Sequence, residues 1–195
     1  MRRNCLALLL CFLATTPAHA LDWKATERTE HYMVDGATGM ALYQSIGEKG
    51  PKLSTGTRTI AVTDWSLKWG RDYVRDGSAC RLKAVRPFLE ITYKLPKPRA
   101  KLTGDTKRKW DTFVAGMAAH EKVHGELLHT MTEEVIRDTL GFTMENDPKC
   151  RTIRDAVKRL ALDAYARYRT ASRDFDRAEM AEGGNVHRLV FGLVR

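Results

Sequence analysis

The longest regular pattern in the chain is helical and extends over residues 106–140. Apolar residues recur there at intervals of three and four, as they do on the buried face of an amphipathic helix. They are Trp110, Phe113, Val114, Met117, Leu128, Met131, Val135 and Ile136. The gap in the middle of this stripe falls on His120, Glu121 and His124. Polar side chains therefore replace apolar ones at the centre of the buried face.

These three residues form an H-E-x-x-H motif. Four residues correspond to about 400° of helix rotation, so His120 and His124 project from one face, roughly 40° apart. Two such imidazoles can bind one Zn²⁺ ion, and Glu121 can act as general base on a zinc-activated water. The alternative is a pair of core histidines bonded to carbonyl groups, with Glu121 at a surface edge. Unpartnered buried polar groups cost roughly 1–3 kcal/mol each, which favours the metal site.

The N-terminus has the three parts of a secretory signal peptide. Arg2 and Arg3 form a positive start, residues 5–13 are apolar, and Ala-His-Ala at 18–20 matches an A-x-A cleavage site. We therefore predict a signal peptide over 1–20 and a mature chain over 21–195 that is periplasmic or secreted. The apolar run is too short for a transmembrane helix, and no later stretch reaches that length.

Export would change the cysteine count. Cys5 and Cys11 would leave with the signal peptide, so that only Cys80 and Cys150 remain. In an oxidising compartment we expect these two to form a disulfide, with two free thiols as the alternative. Such a bridge closes a loop of about 70 residues and contributes roughly 4 kcal/mol in the chain-entropy model.

The chain is basic, and its positive charge is spread along the sequence. The formal net charge of +9 falls by two, to +7, when Arg2 and Arg3 are removed. Outside the cytoplasm this balance favours weak contact with anionic envelope surfaces, although simple solubility explains it better. We expect no nucleic-acid partner, because no recognition motif is present.

The mature chain reads as a β-rich half, 21–100, followed by a helical half, 101–184. Predicted strands cover 26–34, 59–73 and 80–93, the last with a break at Pro87, and a short helix covers 38–46. Asp76-Gly77 predicts a hairpin turn, and the prolines of 95–98 mark the exit from the sheet.

A second long helix is expected to start near Asp147-Pro148 and to end at Gly183-Gly184. The predicted architecture is therefore α+β, with a small antiparallel sheet packed against two long C-terminal helices in one domain of roughly 175 residues.

Several motifs occur in a characteristic order. They are A-x-T-x-W-x-x-x-W at 61–69, the cysteines at 80 and 150, the H-E-x-x-H with Trp110 and Phe113 before it, and Phe175-Asp176. Together they resemble the DUF922 family of bacterial secreted proteins, predicted zinc-dependent proteases, over residues 27–183. The resemblance implies an exported zinc metallopeptidase with a zincin-like active helix, acting on a protein or peptide substrate.

The resemblance is incomplete at its C-terminal end. The family signature Y-D-x-x-T-x-H-G begins at Phe175-Asp176, but residues 177–184 read R-A-E-M-A-E-G-G. The family histidine, a possible third zinc ligand, is therefore missing. This departure leaves a second hypothesis, a non-catalytic exported binding protein of the cell envelope with the same fold.

A catalytic zinc ion takes three protein ligands and keeps one position open. His129 lies five residues after His124 and points to another side of the helix. The remaining candidates are, in order of preference, Glu182, Glu179, Asp176 and His187. The two glutamates continue the apolar stripe of the second helix, whereas the aspartate lies beside it. For each candidate, a solvated side chain at a helix end is the alternative.

Overall fold

The computed structural model describes residues 23–195, so the predicted signal peptide lies outside it. The elements follow in the order β1 (Thr26–Val34), α1 (Gly39–Lys49), β2 (Val62–Asp76), β3 (Ala79–Pro98), α2 (Gly104–Thr139), β4 (Thr143–Met144), α3 (Thr152–Met180) and α4 (Asn185–Val194). The fold is α+β, as predicted. Within the described range, no helix combines the length and the apolar character that crossing a membrane requires.

The sheet has the strand order β1-β3-β2, and β4 pairs with the start of β3. β2 and β3 form an antiparallel hairpin whose turn contains Gly77 at φ 62°, which confirms the predicted Asp76-Gly77 turn. β1 lies parallel to β3, from Thr26 opposite Glu90 to Val34 opposite Pro98. The sheet is therefore mixed, and the expectation of a purely antiparallel sheet was wrong. β1 leads into α1 instead of a tight turn, which allows the parallel pairing.

β3 runs unbroken through Pro87, so the predicted break there was wrong. Residues 95–98 are still paired with β1, and the strand ends at Pro98, within the predicted exit. Pro87 precedes the β1 pairing, which begins at Glu90. Pro96 and Pro98 follow the end of the β2 pairing at Lys94. Each proline therefore has an unpaired side, where a missing N–H is tolerated.

The predicted central helix is confirmed within two residues at each end. α2 packs across one face of the sheet, where Leu128 and Met131 contact Leu89 and Ile91 of β3 in one buried cluster. Its N-terminal half contributes Trp110, Phe113 and Met117 to a second cluster with α1 and α4. The packing of α2 against the sheet is what positions the H-E-x-x-H motif.

The start of the second long helix differs from the prediction. α3 begins at Thr152, because Cys150 adopts a left-handed conformation, φ 52°, and forms the predicted disulfide with Cys80. Asp147 still caps the helix, since its carboxylate accepts hydrogen bonds from the Ile153 and Arg151 amides, both at 2.9 Å.

The C-terminal end also differs. α3 stops at Met180, and a turn with Gly183 at φ 76° leads into α4, which was not predicted. α4 buries Val186 and Leu193 against the N-terminal half of α2. Its ten residues give too short a periodic pattern to separate it from a loop.

Candidate metal centre

α2 places the three motif residues in the interior of the protein. His120, Glu121 and His124 are all buried, and their exposed fractions do not exceed 9%. The Nε2 atoms of His120 and His124 lie 3.3 Å apart. Two protonated nitrogens cannot face each other at this distance, so at least one of them is an acceptor. With neither Nε2 protonated, both nitrogens could bind one ion at a shared point.

A carboxylate from α3 contributes a third potential ligand atom next to the two Nε2 atoms. Asp176 Oδ1 lies 3.0 Å from His124 Nε2 and 3.3 Å from His120 Nε2. These three side chains form the group of potential metal ligands found in residues 23–195. Ligand atoms held about 2.0–2.2 Å from one tetrahedral ion lie roughly 3.3–3.6 Å from each other, and neighbouring groups can draw closer before an ion is bound. The spacing of the three atoms therefore fits a single ion.

The structure separates the four candidates for the third ligand. Glu182, the first choice, is exposed in the turn after α3, because the helix ends at Met180. His187 lies at the start of α4, where its Nδ1 accepts a hydrogen bond from the Gly183 amide. Of the four candidates, only Asp176 has an oxygen close to the Nε2 atoms of both histidines.

Asp176 belongs to a row of α3 residues that the apolar stripe does not reveal. Tyr168, Ser172 and Asp176 are spaced four apart and all line the cavity at the histidines. Residues with this spacing share one face of a helix. The i, i+4 spacing of three polar residues was the signal in the sequence, together with the family match at Asp176.

The Nδ1 atoms of the two histidines, on the ring side away from the shared point, lie near further polar groups. His124 Nδ1 lies 3.1 Å from Ser172 Oγ. His120 Nδ1 is buried and has no hydrogen-bond partner, and Glu179 Oε2 lies 3.6 Å from it. Asn185 Nδ2 donates to the same Glu179 oxygen at 3.2 Å. A small movement of Glu179 would give His120 an acceptor and fix its Nε2 lone pair toward the shared point.

Glu121 points toward the sheet and is held there by β2. Thr63 Oγ1 donates a hydrogen bond to Glu121 Oε2 at 2.6 Å. Burial raises the pKa of the Glu121 carboxyl, and the bond from Thr63 and the nearby histidines offset only part of that rise. A carboxylate with a raised pKa is a better proton acceptor at neutral pH than an exposed one.

The electrostatics of the cluster favour a cation. Burial lowers the pKa of His120, but Asp176 and Glu121 outweigh that effect and the pKa is raised. Burial alone would raise the pKa of Asp176, yet the hydrogen bonds to both histidines hold it far below its usual value. The two carboxylates therefore favour a positive charge at the histidines, and a divalent metal ion could take the place of a proton there.

A cavity of about 200 Å³ opens beside these groups. Phe175 stacks on the His120 ring, with centroids 4.8 Å apart. Tyr168 lines the cavity, and burial raises its pKa, so its hydroxyl is a neutral donor. Thr63, Tyr168 and Ser172 were not identified from the sequence as site residues.

Comparison with protein families decides the classification. The family model described as "Bacterial protein of unknown function (DUF922)" matches residues 29–184. The chain belongs to DUF922. The DUF922 match includes every residue of the metal cluster and confirms the resemblance inferred from the motifs. Neither the curated proteins nor the solved structures gave a significant match. The DUF922 description assigns no activity.

Proposed function

We propose that this DUF922 protein is an exported zinc-dependent metallopeptidase in which His120, His124 and Asp176 hold one Zn²⁺ ion. The observation that carries the proposal is the convergence of three ligand atoms, 3.0–3.3 Å apart, beside a buried glutamate. Asp176 takes the role for which the sequence favoured Glu182.

The donor set supports zinc over calcium and magnesium. Two imidazole nitrogens and one carboxylate oxygen are typical zinc ligands, whereas Ca²⁺ and Mg²⁺ prefer oxygen alone. Structural zinc sites are usually closed by four protein ligands, and catalytic sites keep a position for water. The three ligands of this cluster, next to an open cavity, correspond to the catalytic type.

The protein groups around the cluster suit peptide hydrolysis. A bound zinc ion would supply Lewis acidity, polarising a carbonyl group and lowering the pKa of a water molecule. Glu121 Oε2 is oriented by Thr63, which leaves the carboxylate positioned to accept a proton and to pass it to the departing amine. Tyr168 supplies a neutral hydroxyl on the cavity wall, where it can donate to a developing oxyanion.

Export is part of the same proposal. The Cys80–Cys150 disulfide supports it, since such bonds persist mainly in oxidising compartments. The signal-peptide pattern of residues 1–20 supports it independently.

The proposal is tested by hydrolysis assays on the mature chain, residues 21–195, prepared without a histidine tag. Wild type, Glu121→Gln and His120→Ala are incubated side by side with reduced, alkylated protein substrates. We expect cleavage by the wild type alone, because Glu121→Gln cannot accept the proton and His120→Ala lacks a ligand. Cleavage that persists undiminished in Glu121→Gln contradicts the mechanism. Stoichiometric zinc without hydrolysis in the wild type favours a non-catalytic binding protein of the envelope.

A further inference from the structure

The outer edge of β2 carries unpaired backbone groups. The strand order places β2 at the end of the sheet, and its 15 residues pair only with β3 in the part of the chain that the structure describes. A long exposed edge readily accepts another strand, and proteins usually block such edges when no ligand uses them.

Alternate residues of β2 face the same side as the helices. Thr63 reaches Glu121 in the metal centre, and Trp65, Leu67 and Trp69 follow at steps of two residues. These three line a groove of about 220 Å³, whose opposite wall comes from α3 and includes Leu162, 53% exposed. The groove is mostly apolar and opens to solvent.

The groove lies next to the cavity of the metal centre. The Trp65 ring contacts Tyr165, which lines the groove, and Tyr168, which lines the cavity, with centroids 5.9 Å apart in each case. One aromatic cluster therefore lines both spaces, Tyr168 on the cavity side and Trp65 and Tyr165 on the groove side. A chain segment lying along β2 would pass the metal centre and then the groove.

The far end of the groove is positively charged. Arg71 and Lys158 line it, and neither forms an ion pair with any residue in 23–195. Arg71 lies over the Trp69 ring at 5.4 Å, and its Nε atom is buried without a hydrogen-bond partner. A buried guanidinium nitrogen without a partner is costly unless a ligand satisfies it, and a carboxylate matches both cations.

We propose that this groove is a substrate subsite that binds an extended polypeptide paired with the β2 edge. It takes a large apolar side chain between Trp65, Leu67 and Leu162, and an acidic group at Arg71 and Lys158. The inference rests on the proposed function, because it makes the bound polypeptide the peptidase substrate.

The rise per residue of a β-strand gives the distance between the metal centre and the groove along a bound substrate. Leu67 lies four residues beyond Thr63, which corresponds to about 13–14 Å along a strand. A substrate paired with β2 therefore places its apolar residue about four positions from the bond at the metal centre. The acidic residue lies two to four positions further along.

Binding, not cleavage, tests this assignment. Mature Glu121→Gln protein is panned against a phage-displayed library of random twelve-residue peptides, and the selected peptides are synthesised for affinity measurements. Leu162→Gln and Lys158→Glu, each added to the Glu121→Gln background, alter the groove. Leu140→Gln and Lys149→Glu are the matched controls, because both residues are exposed and lie outside the groove.

We expect selected peptides to carry an aromatic or large aliphatic residue followed or preceded by Asp or Glu. Leu162→Gln and Lys158→Glu should each weaken their binding about tenfold, and the controls should not change it. Failure to enrich any peptide, or equal binding to all variants, overturns the subsite even if the wild type is an active peptidase. Groove-dependent binding in a protein that hydrolyses nothing supports the peptide site and removes only the peptidase function.

Discussion

Asp176 Oδ1 and His124 Nε2 lie 3.0 Å apart, although 52 residues separate them in the sequence. The contact exists because α3 runs back along α2, so that Glu134 meets Arg167 at one end and His120 faces Glu179 at the other. Two helices therefore supply the three potential metal ligands, and the sheet supplies the threonine that donates a hydrogen bond to Glu121. The site depends on how these layers pack.

The two carboxylates that compete for the role of third ligand can be compared directly. Asp176→Ala should lower zinc affinity by at least about 100-fold, because it removes one of three ligands. Glu182→Ala should have no effect, because Glu182 is exposed beyond the end of α3. Competition with a chromophoric chelator gives both affinities. Equal affinities, or a loss confined to Glu182→Ala, would refute the assignment of Asp176.

Glu179 offers a test of how the histidines are oriented. Its carboxylate lies 3.6 Å from the unpartnered His120 Nδ1. Glu179→Ala should weaken zinc binding by about 10–100-fold, whereas Glu179→Gln, which keeps a carbonyl acceptor, should restore most of the loss. The same chelator titration applies. If both variants bind zinc as tightly as the wild type, Glu179 has no positioning role.

The sequence was sufficient for features that depend on one helix or one hairpin. The faces occupied by His120, Glu121 and His124 follow from the helical repeat, and Gly77 follows from turn chemistry. The third ligand could not be derived in this way, because its choice depends on the rotation of α3 relative to α2. The stripe through Phe175 favoured the glutamates, but the neighbouring row through Ser172 and Asp176 faces the histidines.

The pairing of strands that are distant in the sequence was the other feature that could not be predicted. A proline is compatible with a strand only where one edge is open, and that depends on which neighbours are present. Pro87 and Pro96 lie where β3 has a single partner, a fact that the local sequence does not contain. The parallel direction of β1 has the same origin.

The disulfide should contribute stability without affecting the metal. Cys80 and Cys150 lie in a cluster with Leu82, Ile153 and Val157, which shares no residue with the metal cavity. The double variant Cys80→Ser/Cys150→Ser should lose roughly 2–5 kcal/mol of unfolding free energy. Denaturant titration measures this loss, and zinc affinity should stay unchanged. A variant as stable as the wild type would show that the bridge is dispensable.

A partly exposed network of hydrogen bonds around Glu27 should make stability depend on pH. Glu27 accepts hydrogen bonds from Tyr93 and Lys122 and contacts His129. Burial opposes ionisation of Glu27, but these partners lower its pKa from 4.5 to about 2. Since the folded pKa lies below the unfolded one, the stabilisation is complete above pH 4.5 and is lost as the pH falls toward 2.

Glu27→Gln isolates this contribution. At pH 7 the variant should be less stable than the wild type by about 1–2 kcal/mol, and the difference should shrink as the pH falls below 4.5. Denaturant unfolding at a series of pH values gives the difference directly. A difference that stays constant from pH 7 to pH 3 would contradict the lowered pKa.

The central claim, one zinc ion held by His120, His124 and Asp176, is tested most directly by elemental analysis. The mature chain is purified without a histidine tag and its metal content is measured per folded molecule, with His120→Ala as the control. We predict about one zinc ion per wild-type chain and a large loss in the variant. A fully folded wild-type protein that carries no zinc, and binds none when zinc is added, would contradict the claim.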